Sequence, residues 1–171
     1  MNRLRFLFLA FVLIWAGSFL ACSKSTPSTS PNTAKSAAAP TAATSSGLPQ
    51  PCTLLTAKDI AEVFRAGAKI DRDGDTSCTI EGPNITVDGV IGVNIKLIDP
   101  KDWDGGKKTV FAMFPKEKAV SGIGEDAYTF MEGIVFHKGK AEVNVITSGY
   151  NGSKPKADVA KYIAEQVAAR L

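Results

Sequence analysis

Four sets of residues in this 171-residue chain could do chemistry. Three cysteines, Cys22, Cys52 and Cys78, carry thiols that can be acylated, joined as a disulfide or given to a soft metal. Asp71, Asp73 and Asp75 alternate in Asp71-Arg72-Asp73-Gly74-Asp75-Thr76, the way carboxylates open a calcium loop. His137 is the one histidine, and imidazole is the side chain best suited to general-base work near neutral pH. Gly122 and Gly124, in Gly122-Ile123-Gly124-Glu125-Asp126, open like a glycine loop that cradles phosphate.

Three of these sets fail on spacing. A calcium loop needs glycine at its sixth position and a bidentate glutamate at its twelfth. Here those positions hold Thr76 and Gly82, and Glu81 comes one place early. Asp71, Asp73 and Asp75 are therefore a weak metal candidate and are expected to form a solvated turn before a strand. The phosphate loop needs a third glycine before a helix. This segment lacks it, and Glu125 and Asp126 would repel the anion. His137 stands beside a hairpin turn without a recognisable nucleophile or orienting acid, so it is expected to be exposed and not catalytic. No catalytic residue and no cofactor are expected.

Cys22 is different because of what precedes it. The chain opens Met1-Asn2-Arg3-Leu4-Arg5, runs uncharged and apolar from Phe6 to Phe19 apart from Gly17 and Ser18, and reaches Leu20-Ala21-Cys22. A basic start, an apolar stretch and a small residue before a cut make a secretory signal. With cysteine next, residues 1–21 resemble a bacterial lipoprotein signal peptide, which implies lipidation of Cys22 as the new N-terminus. Phe19 and Leu20 are larger than that pattern prefers. Ala16-Gly17-Ser18 offers a cut for ordinary secretion, and the apolar run, near the lower edge of the length a spanning helix needs, could also stay uncut as an anchor.

Residues 23–51 are Ser, Thr, Ala and Pro with hardly a large apolar side chain, a composition that cannot repay the entropy of ordering. They are expected to tether a single domain, 52–171, to the lipid on Cys22. The formal charge of +3 comes from the leader and the tether: without Arg3, Arg5, Lys24 and Lys35, 16 basic residues face 17 acidic ones. That balance gives nucleic acid no electrostatic footprint. Outside the cytoplasm, Cys52 and Cys78 are expected to form a disulfide, which would stabilise by about 3–4 kcal/mol through loop closure. Zinc is the rival reading, and two thiolates with no histidine nearby make a poor site for it.

These residues must be positioned by a modest set of elements. Thr56, with Asp59 three places on, caps a helix whose apolar face holds Ile60, Val63 and Phe64, and Leu55 and Ile60 can form a staple across the cap. Gly67 is a plausible stop. Strands are expected over 77–81, 90–98, 127–131, 134–137 and 140–147, with Asp88-Gly89 and Lys138-Gly139 as hairpin turns. Residues 99–106 read as a break and 107–114 as a short helix. Ser153 or a neighbour caps the last helix, with Pro155 in its first turn and a stripe of Val159, Tyr162, Ile163, Val167 and Leu171. The fold class is α+β, an antiparallel sheet of about five strands against N-terminal and C-terminal helices. Trp103, Phe111 and Tyr128 are the aromatics best able to line a ligand pocket.

Cys52-Thr53-Leu54-Leu55-Thr56 before a helix, the second cysteine at Cys78 and Gly122-Ile123-Gly124-Glu125-Asp126-Ala127-Tyr128 together resemble a family of bacterial lipoproteins of unknown function, best known from actinobacteria. The resemblance runs over most of 52–147 and rests on those three patches. Where such proteins often carry a tryptophan after the second cysteine, this chain has Thr79-Ile80-Glu81. It implies an exported α+β domain and supplies no catalytic residue. The expectation is a non-enzymatic lipoprotein of the cell envelope, held on the outer or plasma membrane by the lipid, with its domain outside the cytoplasm. Its partner would be an envelope protein, a peptide or a small ligand. A secreted or anchored hydrolase using His137 as its base, and a purely structural envelope protein, are the alternatives.

Overall fold

The computed structural model describes residues 47–71 and 74–171. The expected signal segment, Cys22 and the tether as far as residue 46 lie outside the described residues, as do Arg72 and Asp73.

Seven strands form one antiparallel sheet: β1 Lys69–Asp71, β2 Ser77–Glu81, β3 Val90–Leu97, β4 Ala119–Val120, β5 Asp126–Phe130, β6 Gly133–Lys138 and β7 Ala141–Ile146. Their spatial order is β1-β2-β3-β7-β6-β5-β4. The α+β class and the antiparallel sheet are as expected, but the strand number is seven instead of about five. The two additional strands are the edges. β1 has three residues, all exposed, and β4 has two, so neither carries enough alternation to stand out.

The period-two pattern of the central strands sorts their side chains between two faces. Cys78 and Ile80 of β2, Ile91, Val93 and Ile95 of β3, and Val143 and Val145 of β7 all point into one core. That face is covered by a 3-10 turn at Pro51–Leu54, by α1 (Ala57–Val63) and by α4 (Lys156–Arg170). α4 presents Val159, Ala160, Ile163, Ala164, Val167 and Ala168 to the sheet, every one of them buried. Leu48 packs against this core and Pro51 is buried, so packing begins a few residues before Cys52.

α1 starts as its sequence requires. The Thr56 hydroxyl accepts from the Asp59 backbone N–H at 3.2 Å, and the Asp59 carboxylate accepts from the Thr56 N–H at 2.7 Å, a complete capping box. α1 ends at Phe64, before Gly67. α4 has Pro155 at its N-cap and no side-chain cap, so the expected role of Ser153 is not taken.

Two further corrections concern helices. Asp88-Gly89 was expected as a hairpin turn, but Ile85-Thr86-Val87-Asp88 forms a short helix, α2 (Ile85–Asp88). Its β-branched residues lose to capping: Asn84 accepts from the Thr86 N–H at 3.1 Å, and Asp88 accepts from the Asn84 N–H at 3.1 Å. α3 runs from Pro100 to Met113 through Gly105-Gly106, so residues 99–106 are no break. Asp99 caps it and Pro100 occupies the first turn, where proline's missing N–H costs nothing. Among the described residues no helix is long and apolar enough to cross a membrane.

Candidate functional site

β6 separates the two faces of the sheet. Ile134 and Phe136 enter the main core, whereas Val135 and the residues that alternate with them face the other side. There α3 lies over β5 and β6 and closes a second, smaller core of Trp103, Tyr128 and Val135, flanked by Ile98, Val110, Phe111 and Phe130. The three aromatics expected to line a pocket are thus brought together. Trp103 and Tyr128 have ring centroids 5.3 Å apart, and Phe111 meets Tyr128 edge-on at 5.8 Å. Trp103 is 4% exposed and Tyr128 7%, so a ligand would have to displace α3 to stack on either. Burial raises the Tyr128 phenol above its ordinary range, and Glu142 and Asp126 push it the same way.

A row of polar side chains crosses this face in register. Lys96 of β3 pairs with Glu142 of β7, Glu142 with His137 of β6, and His137 with Asp126 of β5. Lys96 Nζ is 2.8 Å from Glu142 Oε1. Asp126 accepts from the Trp103 indole N–H at 2.9 Å and from Lys107, both on α3. Burial alone would raise the Asp126 carboxyl, but the bonds from Lys107 and Trp103 outweigh it and hold the group below the usual carboxylate range. One carboxylate on the sheet therefore anchors two side chains of α3.

His137 was expected in solvent and is buried instead. The hairpin turn beside it does not decide its exposure; α3 does. The Trp103 ring lies 4.6 Å from the imidazole, centroid to centroid. Nδ1 is 3.6 Å from Glu125 Oε2 and is the one buried side-chain polar atom among the described residues without a hydrogen bond. A base must reach the proton it removes, and this imidazole is held under an indole ring.

The glycine bend before β5 is explained by packing. Gly124 has φ +58°, and a Cβ there would collide with the His137 carbonyl oxygen and the Phe136 ring. The bend lets the chain pass close over β6, and the Glu125 N–H then donates to that same carbonyl at 2.9 Å. Glu125 and Asp126 are used in this local architecture, which accounts for the motif without phosphate.

Cys52 and Cys78 are bonded, S–S 2.05 Å with Cα atoms 5.2 Å apart. Both are buried, and the bond fastens the 3-10 turn to β2. Neither sulfur is then available to zinc as a thiolate. Asp71 closes β1, Asp75 lies in the following bend and accepts from the Gln50 amide at 3.3 Å, and Asp73 is outside the described residues.

Sequence reasoning missed a cleft of about 270 Å³ at the end of the domain, where the end of α1, α2 and the loop after Tyr150 converge. Phe64 and Tyr150 meet edge-on beneath it, centroids 5.4 Å apart, and Val87 and Arg65 stand at its mouth. Its parts come from three distant stretches, so no local pattern marks it.

No family model, curated protein or solved structure gives a significant match to this chain.

Proposed function

We propose that this chain is an exported cell-envelope lipoprotein, acylated on Cys22 and tethered through a Ser/Thr/Ala/Pro spacer, whose one α+β domain binds a protein, peptide or small ligand without catalysing a reaction. The observation that carries the reading is the buried Cys52–Cys78 bond, because such bonds persist in oxidising compartments and are rare in the cytosol. The signal-like leader ending in Ala21-Cys22 and the likeness to actinobacterial lipoproteins point the same way. The binding role is supported by a cleft at the end of the domain and by the burial of His137 beneath Trp103, which sets the best neutral-pH base away from substrate.

Expression of the full chain in a bacterium fed an alkyne-bearing palmitate analogue tests this. The protein should take up label and sediment with membranes, and Cys22→Ser should lose both properties. Label retained by Cys22→Ser, or an unlabelled protein in the cytosolic fraction, would contradict it.

A further inference from the structure

Arg65 and Asp88 at the mouth of the cleft make an unequal pair. Asp88 is nearly buried, its side chain 7% exposed, and accepts from Arg65 Nη2 at 2.8 Å and from the Asn84 N–H. The Arg65 side chain is 72% exposed. A guanidinium carries five N–H donors in a planar fork. The contact with Asp88 engages Nη2 of an exposed guanidinium that lines the cleft, so an incoming anion would have to use its remaining donors. An exposed arginine anchored by a buried carboxylate is preorganised at less entropic cost than a free one.

The apolar side of the cleft is as specific. Val87 is 54% exposed, at a position where α2 could as readily carry a polar residue. Val63 and the edges of Phe64 and Tyr150 continue that surface inward. Gly152 closes the far side. A Cβ there would collide with the Tyr150 hydroxyl, which itself donates to the Val63 carbonyl at 3.3 Å. The neighbouring cation, Lys154, is already committed to the Glu62 carboxylate and carbonyl, both at 2.6 Å. Arg65 is thus the cation that faces a ligand here.

We infer that this cleft binds a small organic carboxylate, its anion on the open fork of Arg65 and a short apolar body against Val87 and the Phe64–Tyr150 edge. The volume, at the small end of ligand sites, limits the body to about one ring or a branched chain. Asp88 leaves the pair neutral, so the affinity is modest, with Kd about 1–10 mM for a fragment. The inference deepens the binding role proposed above and does not depend on the lipid.

Benzoate is the probe and benzamide its neutral isostere, titrated into the 15N-labelled full chain in mild detergent and followed by amide NMR shifts. Benzoate should give saturable shifts at Arg65, Val87, Gly152 and Ser153, with an affinity about tenfold above that of benzamide, the range of one charge-assisted contact. Arg65→Gln should bring benzoate down to the benzamide level. Val87→Asp, an exposed change that leaves the Arg65–Asp88 pair intact, should also weaken benzoate about tenfold. Shifts that do not saturate, that centre elsewhere, that are equal for benzamide or that survive both variants would overturn the inference. Inorganic sulfate reproducing the shifts with equal affinity would overturn the role of the apolar body. Neither variant touches Cys22, so the labelling test of the lipoprotein reading stands or fails separately.

Discussion

Asp59, in the first turn of α1, grips Arg170 in the last turn of α4: Arg170 Nη1 lies 2.8 Å from Asp59 Oδ2, and Nη2 lies 3.2 Å from Oδ1. The same arginine donates to the Leu54 carbonyl at 2.7 Å, at the end of the 3-10 turn that carries Cys52. Asp59 is 4% exposed, so one buried carboxylate caps one helix and ties down another. Asp59→Ala removes the capping box and leaves Arg170 without its anion. It should cost about 2–3 kcal/mol in urea unfolding at pH 7, less than a fully buried pair because Arg170 is one-third exposed.

Acid should weaken the domain through the same group. Burial alone would raise the Asp59 carboxyl, but hydrogen bonds from Thr56 and the Arg170 guanidinium outweigh it and hold the group below the ordinary carboxylate range. Asp126 is held down in the same direction by Lys107 and Trp103. In the interval between the folded and unfolded values the unfolded chain binds more protons, so stability rises with pH there. The contribution is complete above the ordinary carboxylate range, about pH 4, and is lost as pH falls through the depressed folded values. Urea midpoints measured from pH 6 to pH 2 should fall steeply below pH 4. Asp59→Asn should show a shallower fall, and an identical slope would refute the assignment.

The disulfide closes a separation of 26 residues. Loop-closure entropy assigns it about 3.5 kcal/mol. Cys52→Ala with Cys78→Ala should lower the urea-derived stability by about that amount, with the NMR shifts of α3 unchanged because α3 packs on the opposite face.

α3 carries two glycines in its interior. Gly105 and Gly106 sit in its middle with nothing within 4 Å of where a Cβ would stand. Replacing both with Ala should stabilise the helix by about 1 kcal/mol each and raise the protection of its amides in hydrogen exchange. A loss of protection would mean that the helix does not run unbroken through this pair.

Between β5 and β6 the two-residue turn is Met131-Glu132, with φ +48° and +63°. That geometry favours Asn-Gly and strains ordinary side chains. Met131 is exposed, so Met131→Asn should raise thermal stability by about 1 kcal/mol, read from the unfolding midpoint.

The parts of the fold legible in the sequence were those where local signals agree with packing. Thr56 and Asp59 announced α1, alternation from Ile91 to Ile95 announced β3, and Cys52 and Cys78 found each other. The errors arose where a capping signal outweighed β-propensity or a glycine pair, or where the deciding contact was distant. Asp88-Gly89 reads as a hairpin turn, whereas Asn84 and Asp88 cap Ile85-Thr86-Val87-Asp88 into a helix. Gly105-Gly106 reads as a break although Asp99-Pro100 is a helix start. His137 looked exposed because nothing near it in sequence reports that Trp103 covers it. Arg65 and Val87 gave no sign of a cleft, since Tyr150 must come back across the domain to form it.

The intact mass of the mature chain, recovered from bacterial membranes without reductant, tests the central claim most directly. The account predicts a polypeptide that begins at Cys22, carries diacylglycerol on that residue, and gains two hydrogens only when the Cys52–Cys78 bond is reduced. An unacylated chain found in the cytosol, with Cys52 and Cys78 as free thiols, would contradict it.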